Sequence, residues 1–391
     1  SGSRMSLLDR ALPEPSFVDC DVAKIVADIV VEFETATGRT LYPAQVERLQ
    51  TNIIAYRESL VREAIQDAAK LNLLRYSRAP VLDMLGELVG VGRLAAAPAG
   101  VTVKFTFGAS ALARTIPAGT LVQAGDVAFA TSVDIAVAAG AVVATGAASC
   151  TTAGVVGNGF VAGQVNVLAA PVAGFSDLAV TNTTTSAGGA EAELDDELRE
   201  RIALAPERFS TAGSVGAYRF HAMSAWPGII DVAVVHPDMV VQGGVLVSLN
   251  GVPPGQVRLY PLMRDGVPAQ AVLDAVFVAC SGQTVRPVCD QVQTLVPEVV
   301  HTTLSVELTL YEGSDSAAVL DYGIAAANAY VNAVRRRLGV DIVRSQIADA
   351  LHVAGVYKVH VLQPAADVVL QDHQWPAFDS VTVTIAGVAR G

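Results

Sequence analysis

Charge and aromatic rings are both in short supply in this chain of 391 residues: 16% of the residues are charged and 6% aromatic, against 52% hydrophobic. The mean hydropathy is +0.44, and Ala and Val carry the excess rather than rings. A monomer must keep large apolar patches away from water, so part of this surface is expected to be covered by other subunits. Few aromatics also weigh against a sugar-binding protein, because carbohydrate platforms need several exposed rings, and Trp226 and Trp375 each stand beside a proline. Basic residues are outnumbered 26 to 38, a net charge of −12. Binding along nucleic-acid phosphates depends on clustered Lys and Arg that displace counterions, so no direct nucleic-acid contact is expected. The one dense basic cluster, Arg335–Arg336–Arg337, reads as favourable charge at a helix C-terminus. The four cysteines, Cys20, Cys150, Cys280 and Cys289, show no CxxC spacing. That argues against a zinc site or a disulfide framework and fits folding in a reducing cytoplasm.

Motifs for chemistry are missing as well. The six histidines, His221, His236, His301, His352, His360 and His373, show no HExxH spacing. His236 with Asp238, or His352 with His360, could supply pairs of metal ligands, but lone histidines near strands are usually structural. There is no GxSxG, and no cysteine in a nucleophile context. Gly251-Val252-Pro253-Pro254-Gly255 lacks the Lys and Ser or Thr of a phosphate loop, and its prolines remove backbone donors. The acids from Glu191 to Glu197 read as the solvated start of a helix. No catalytic residue, cofactor or metal site is therefore expected, and an enzyme is disfavoured. Residues from Ile135 to Ser176 hold no charge, yet glycines such as Gly140, Gly146, Gly154, Gly157 and Gly159 interrupt them and no apolar window reaches spanning length, so membrane insertion is not expected. Ser1-Gly2-Ser3-Arg4 reads as a remnant ahead of Met5, with no signal-peptide pattern after it.

What is present is a change of periodicity along the chain. With roughly 150 residues per domain, the length calls for two to four domains. Val22, Ile25, Val26 and Ile29 share a helix face that ends before Gly38. Pro43 suits the first turn of a long helix with a narrow apolar seam, Val46, Leu49, Ile53, Tyr56 and Leu60, spaced by threes and fours. A third helix runs from Pro80 to Leu88 and stops at Gly90. After Gly100 the pattern alternates: Val101, Val103 and Phe105 face one way, Thr102, Lys104 and Thr106 the other. Pro117-Ala118-Gly119 predicts a turn and Asn158-Gly159 a hairpin, within a β-rich stretch whose uncharged strand edges invite pairing. Ser186 to Ala190 reads as a flexible connection, followed by a helix from Asp195 that Pro206 breaks and a second helix capped within Ser210 to Ser214. Strands are expected at Ile229 to Val235, Gly244 to Leu249, Gln256 to Pro261, Val299 to Tyr311, Val356 to Leu362 and Val381 to Ile385. Helices are expected at Pro268 to Cys280, Ser316 to Leu338 and Arg344 to Val353, with Ile324, Ala327, Tyr330, Val331 and Val334 on one side of the second. The sum is an α+β multidomain chain: an N-terminal helical region over 1–95, a β-rich middle domain over 96–186, a helical connection with a first α+β subdomain over 187–295, and a second C-terminal α+β subdomain over 296–391.

One segment carries a resemblance. Thr181-Asn182, Gly188-Gly189-Ala190-Glu191-Ala192-Glu193, Asp196-Glu197-Leu198-Arg199-Glu200-Arg201, Phe209 through Tyr218, His221-Ala222 and Asp231-Val232 together resemble the baseplate J-like family. Thr115-Ile116-Pro117-Ala118-Gly119-Thr120 with Phe129-Ala130-Thr131, the run Gly154 to Pro171, Gln256 to Tyr260 and Arg286 to Asp290 agree with it. The Gly- and Pro-rich run Val240 to Pro254 departs from the pattern.

The resemblance implies a structural wedge subunit of a contractile phage tail or related injection machine, placed in the virion tail baseplate and assembled in the bacterial host cytoplasm. It implies self-association, as a dimer within a wedge and a ring of wedges around a central spike hub, and two further partners: a tail protein I-like wedge protein and a lysozyme-like wedge protein. By that analogy Val46, Leu49, Ile53, Tyr56 and Leu60 are the candidate bundle contact, and the C-terminal subdomains the candidate ring contact. The competing reading is a β-rich sugar-binding or adhesive tail surface protein.

Overall fold

The structure, a computed structural model, describes residues 12–209, 213–282 and 285–390. Its architecture is α+β: N-terminal helices, a nearly closed β-barrel and C-terminal α+β elements. The chain divides into two compact units, one of them helical, made from the residues up to Arg93 together with Leu194–Ala205.

In the helical unit α1 (Val22–Thr37) is capped by the Asp21 carboxylate, which accepts from the Ala23 and Lys24 amides, and ends at Gly38 with φ 66°. The long α2 (Val46–Leu71) starts later than Pro43 suggested. The Gln45 amide donates to the Tyr42 carbonyl and the Gln45 side chain accepts from the Tyr42 amide, so Pro43 sits in a turn ahead of the helix. Buried Thr51, Ala55 and Ser59 give α2 a small-residue face that packs on α1. Helix α3 (Val81–Leu88) meets α4 (Asp195–Leu204) at Gly86, where a Cβ would lie 2.4 Å from the Val91 carbonyl and 3.3 Å from Ile202 Cδ1.

The second unit contains the barrel, built from β1 (Pro98–Thr106), β2 (Arg114–Ile116), β3 (Leu121–Ala124), β4 (Val127–Thr131), β5 (Ile135–Val137), β6 (Val143–Ala153), β7 (Val167–Leu168) and β8 (Ala179–Asn182). The six-stranded sheet runs β7-β3-β4-β6-β1-β8, and β2 pairs with β5. Strand β1 buries Val101, Val103 and Phe105 and turns Thr102 and Lys104 outward, as the alternation requires. Gly119, with φ 79°, makes the turn between β2 and β3. Near closure depends on the chain just before β7. Asn166 donates to the Gln123 carbonyl on one side, while the Asn182 amide donates to the Val165 carbonyl on the other. Buried Asn182 completes the seam, its Oδ1 accepting from the Val165 amide and its Nδ2 donating to the Val161 and Thr184 carbonyls. The uncharged stretch from Ile135 thus becomes barrel wall, where pairing hides the edges.

Two expectations fail here for one reason. Asn158-Gly159 is not a hairpin turn: it follows a single 3₁₀ turn, and the Asn158 side chain clamps the backbone of Gly189, accepting from its N–H and donating to its C=O, both at 2.8 Å. Ser186 to Ala190, expected to be flexible, is bonded to β1 through Ala97–Ala190 and Gly100–Ala187 exchanges, with Ser186 buried. Small residues suit both a linker and a close backbone approach, and local pattern does not separate the two.

Beyond the barrel lie α5 (Val215–Met223), β9 (Ile229–Val235), β10 (Met239–Gln242), β11 (Val245–Ser248), β12 (Gln256–Met263), α6 (Gln270–Ser281) and β13 (Gln291–Thr294). Ser214 caps α5 by accepting from the Ala217 amide; the other cap candidates, Ser210 to Ala212, fall outside the described residues. The sheet is β13-β12-β9, with β12–β13 parallel, and β10–β11 forms a separate hairpin. The last group comprises β14 (Glu298–Tyr311), α7 (Ser316–Arg335), α8 (Arg344–Ala350), β15 (Val356–Gln363) and β16 (Gln374–Ala389), in sheet order β15-β14-β16. On α7 the inward residues are Val319, Gly323, Ala327, Val331 and Val334, whereas Ile324 is exposed. Gly323 takes the inner place because a Cβ there would already meet Leu308 at 2.7 Å. The two groups share a core of Ile230, Ala233, Tyr260, Leu262 and Leu338. Buried Asp231 fastens this joint, accepting from Arg219 at 2.8 Å and from the Leu338 amide at 2.9 Å.

Candidate functional site

Several of the ionisable groups that the sequence singles out are paired or buried. Among the described residues no group of three or more His, Cys, Asp or Glu is placed to hold a metal ion. His360 faces Glu307 at 3.6 Å, His301 faces Asp379 at 2.8 Å and His373 faces Glu298 at 3.4 Å, all on the C-terminal sheet. His236 leans on the Pro237 carbonyl. Burial pushes the Cys280 thiol up to about 12, where it is no nucleophile at neutral pH, and it points at the Tyr218 carbonyl. Burial likewise raises the Tyr218 hydroxyl, which donates to Asp290 at 2.8 Å. His221 is held below its usual range by burial, with Arg208 adding to the effect. The two tryptophans are part-buried and spend their N–H groups on the Gly188 and Arg335 carbonyls, so neither is a free stacking platform. No described helix is long and apolar enough to cross a membrane.

The acids around the start of α4 are a solvated cap only in part: Glu191 and Asp196 are exposed, with Asp195, Asp196 and Glu197 in the first turn. Glu193 and Glu197 are 4% and 5% exposed; Glu193 accepts from the Leu94 amide and Glu197 from the Leu194 amide. Glu191 accepts from the Val155 amide. The arginines that follow bind carbonyls of the helical unit, Arg199 those of Leu74 and Ser77 and Arg201 that of Gly92. Arg93 spans Asp83 and Asp195. A run that reads as surface charge is therefore a set of backbone clasps, with each planar guanidinium satisfying carbonyls left open where helices end. Arg335, read as a helix-end charge, donates to the Phe378 carbonyl.

The feature that remains is the outer side of α2. Val46, Leu49, Ile53, Tyr56 and Leu60 lie together on one face and are 66%, 58%, 64%, 59% and 43% exposed. Sequence reasoning missed a second apolar stripe on the same helix, Ile54, Val61 and Ile65, also exposed. At 3.6 residues per turn it stands roughly 120° from the first, with Gln50 and Arg57 between. The buried face, Thr51, Ala55 and Ser59, occupies the remaining side. Plotting every apolar residue of the helix, rather than one seam, would have found the second stripe. Helix α2 thus presents three contact faces, of which its own unit covers one. Full burial of each Leu, Ile or Val side chain is worth about 1.5–3 kcal/mol, and seven such groups together with Tyr56 stand exposed on α2.

The hairpin β10–β11 occupies the run where the sequence departs from the family pattern. Its first strand, Met239–Gln242, was not anticipated; Gly243 and Gly244, both at positive φ, turn it into β11, and Asn250 ties its base to His236 and Asp238.

Comparison with known proteins finds four family profiles in order along the chain. The Baseplate J-like N-terminal domain matches residues 47–100, the barrel domain 102–189, the central domain 210–295 and the C-terminal domain 302–384. Baseplate protein J of Escherichia phage P2 is 36% identical over 184 residues, which are 46% of this chain and 56% of that protein. The match therefore spans little more than half the length of that relative. A chain in the six-fold symmetrised cryo-electron microscopy structure of the anti-feeding prophage baseplate aligns over 92% of this chain and 90% of its own, with a TM-score of 0.37 and 14% identity. With profiles for all four successive regions matched in order, the chain belongs to the baseplate J-like family.

Proposed function

We propose that this chain is a non-enzymatic structural subunit of a contractile-tail baseplate, a wedge protein that encircles the central spike hub and joins neighbouring wedges into a ring. Its place is the virion tail, and it assembles in the host cytoplasm. The observation that carries the reading is the outer face of α2. A helix with one face against its own unit and two exposed apolar stripes is shaped to be an inner helix of a bundle with two more neighbours. A second copy of the chain and one helix of a tail protein I-like partner would fill those places, with a lysozyme-like wedge protein as a further neighbour. The division into four regions, over 1–95, 96–186, 187–295 and 296–391, fits the same reading, with the helices for the bundle and the C-terminal pair for the ring.

The test is co-purification. Leu49→Asp with Ile53→Asp places two carboxylates on the exposed stripe without touching Thr51, Ala55 or Ser59. The double variant is expected to keep its circular dichroism spectrum and melting temperature and to lose the tail protein I-like partner. Retention of the partner at wild-type levels would remove α2 from the bundle.

A further inference from the structure

Between the two apolar stripes of α2 runs a row of residues spaced by sevens, Gln50, Arg57 and Ala64, one in about every two turns. All three are exposed. The stripes on either hand, Val46, Leu49, Ile53, Tyr56 and Leu60 on one and Ile54, Val61 and Ile65 on the other, carry no charge. Arg57 is therefore a lone charge near the middle of a broad apolar surface. The other basic side chains nearby are engaged: Arg62 holds Glu58 at 2.5 Å, and Arg78 holds Asp67 at 2.6 Å. Among the described residues the Arg57 side chain has neither an ion pair nor a hydrogen bond.

Helices seated on both stripes leave Arg57 in the groove between them, roughly 60–70° round α2 from the middle of each. A guanidinium covered there without a counter-charge loses its water and gains nothing in return. Helix α2 cannot supply the missing acid itself. Glu58 and Asp67 are already paired, while Glu47 and Glu63 stand roughly 80° and 120° away from Arg57 on opposite hands. A second copy that presents the same row offers Gln50, Arg57 or Ala64, none of them an acid, and in parallel register it sets Arg57 against Arg57.

We infer that Arg57 fixes the register of the bundle, and that the helix seated against it belongs to a different protein and carries one Asp or Glu within an apolar stripe. A planar guanidinium can take both oxygens of that carboxylate. Apolar residues at spacings of three and four tolerate a slide of the partner by one heptad, because each meets another apolar residue after the slide. The charge does not: the slide carries the partner's carboxylate to Gln50 or Ala64 and leaves Arg57 covered and unpaired. This inference rests on the bundle proposed above, in which the tail protein I-like partner is the chain that brings the acid.

Calorimetric titration of the full chain with the tail protein I-like partner tests this, near neutral pH and at about pH 5. Two variants are compared with wild type, Arg57→Met and Arg57→Glu, both at an exposed position and both expected to keep the circular dichroism spectrum. Near neutral pH Arg57→Met strands the partner's carboxylate and should weaken binding about a hundredfold or more, and Arg57→Glu should weaken it further. At about pH 5 Arg57→Met should regain roughly tenfold relative to wild type, because a buried lone carboxylate titrates upward and takes a proton. Wild-type strength in both variants, or an Arg57→Met loss that acid does not relieve, overturns the inference. The Leu49→Asp, Ile53→Asp variant keeps the two readings apart. If it loses the partner while both Arg57 variants hold it as wild type does, the bundle stands and the role of Arg57 falls alone. If it retains the partner, the bundle reading falls and the role of Arg57 with it.

Discussion

Single residues decide the joint between the two C-terminal groups. Asp231 is 2% exposed and serves three donors, the Arg219 guanidinium, the Val232 amide and the Leu338 amide 107 positions away. Replacing it with Ala takes the acceptor from a part-buried arginine and from the Val232 and Leu338 amides, a loss of about 3–5 kcal/mol. Asp231→Asn keeps one acceptor and should cost less. Urea unfolding of both variants checks the order, and equal stability to wild type would show that water replaces these bonds. Tyr218 with Asp290 and Cys280 with the Tyr218 carbonyl belong to the same class: ionisable groups kept neutral or fully bonded so that they can pack.

Among elements, the barrel shows how a near-closed sheet is built from strands as short as two residues. Its wall is completed by side chains and irregular backbone: Asn182 across the β7–β8 seam, Asn158 on Gly189, and the Ala97–Ala190 exchange. Gly189 is the tightest point. A Cβ there would sit 2.4 Å from the Gly154 carbonyl and 2.9 Å from Asn158 Oδ1. Gly189→Ala must push two strapped segments apart, so a loss on the order of 2–3 kcal/mol is expected, typical of overpacking. A fall in melting temperature would register it; an unchanged melting curve would mean that the clamp yields freely. Helix α4 adds arginines on open carbonyls to the apolar contact of its buried Leu198 and Ile202.

For the whole molecule, low charge and large exposed apolar faces point to stability shared with neighbours. A partner that binds only the folded chain stabilises it by mass action, by about 2.7 kcal/mol at a free concentration 100 times its Kd. Titrating the tail protein I-like partner should therefore raise the melting temperature of the wild type step by step and leave the Leu49→Asp, Ile53→Asp variant unmoved. A shift of equal size in both would place the contact elsewhere.

How far the sequence alone reached follows from range. Period and caps located α1, the β1 face, α4, α5, α7 and the long β14, because the signals for these lie within one or two turns or strands. The seam on α2 was legible for the same reason, since an exposed apolar stripe has the same spacing as a buried one. Its exposure was not legible, nor was the second stripe, because burial is a property of what packs against the helix. Likewise Glu193 and Glu197 read as solvated acids and are buried, and Ser186 to Ala190 read as a loose linker and are strapped to β1. In each case the deciding partner lies tens of residues away: Asn158 for Gly189, Leu94 for Glu193, Leu338 for Asp231. Local sequence determined which elements form, and with them the family. Only the tertiary structure decided which faces were used inside the chain and which were left for others, because that choice belongs to contacts between distant segments.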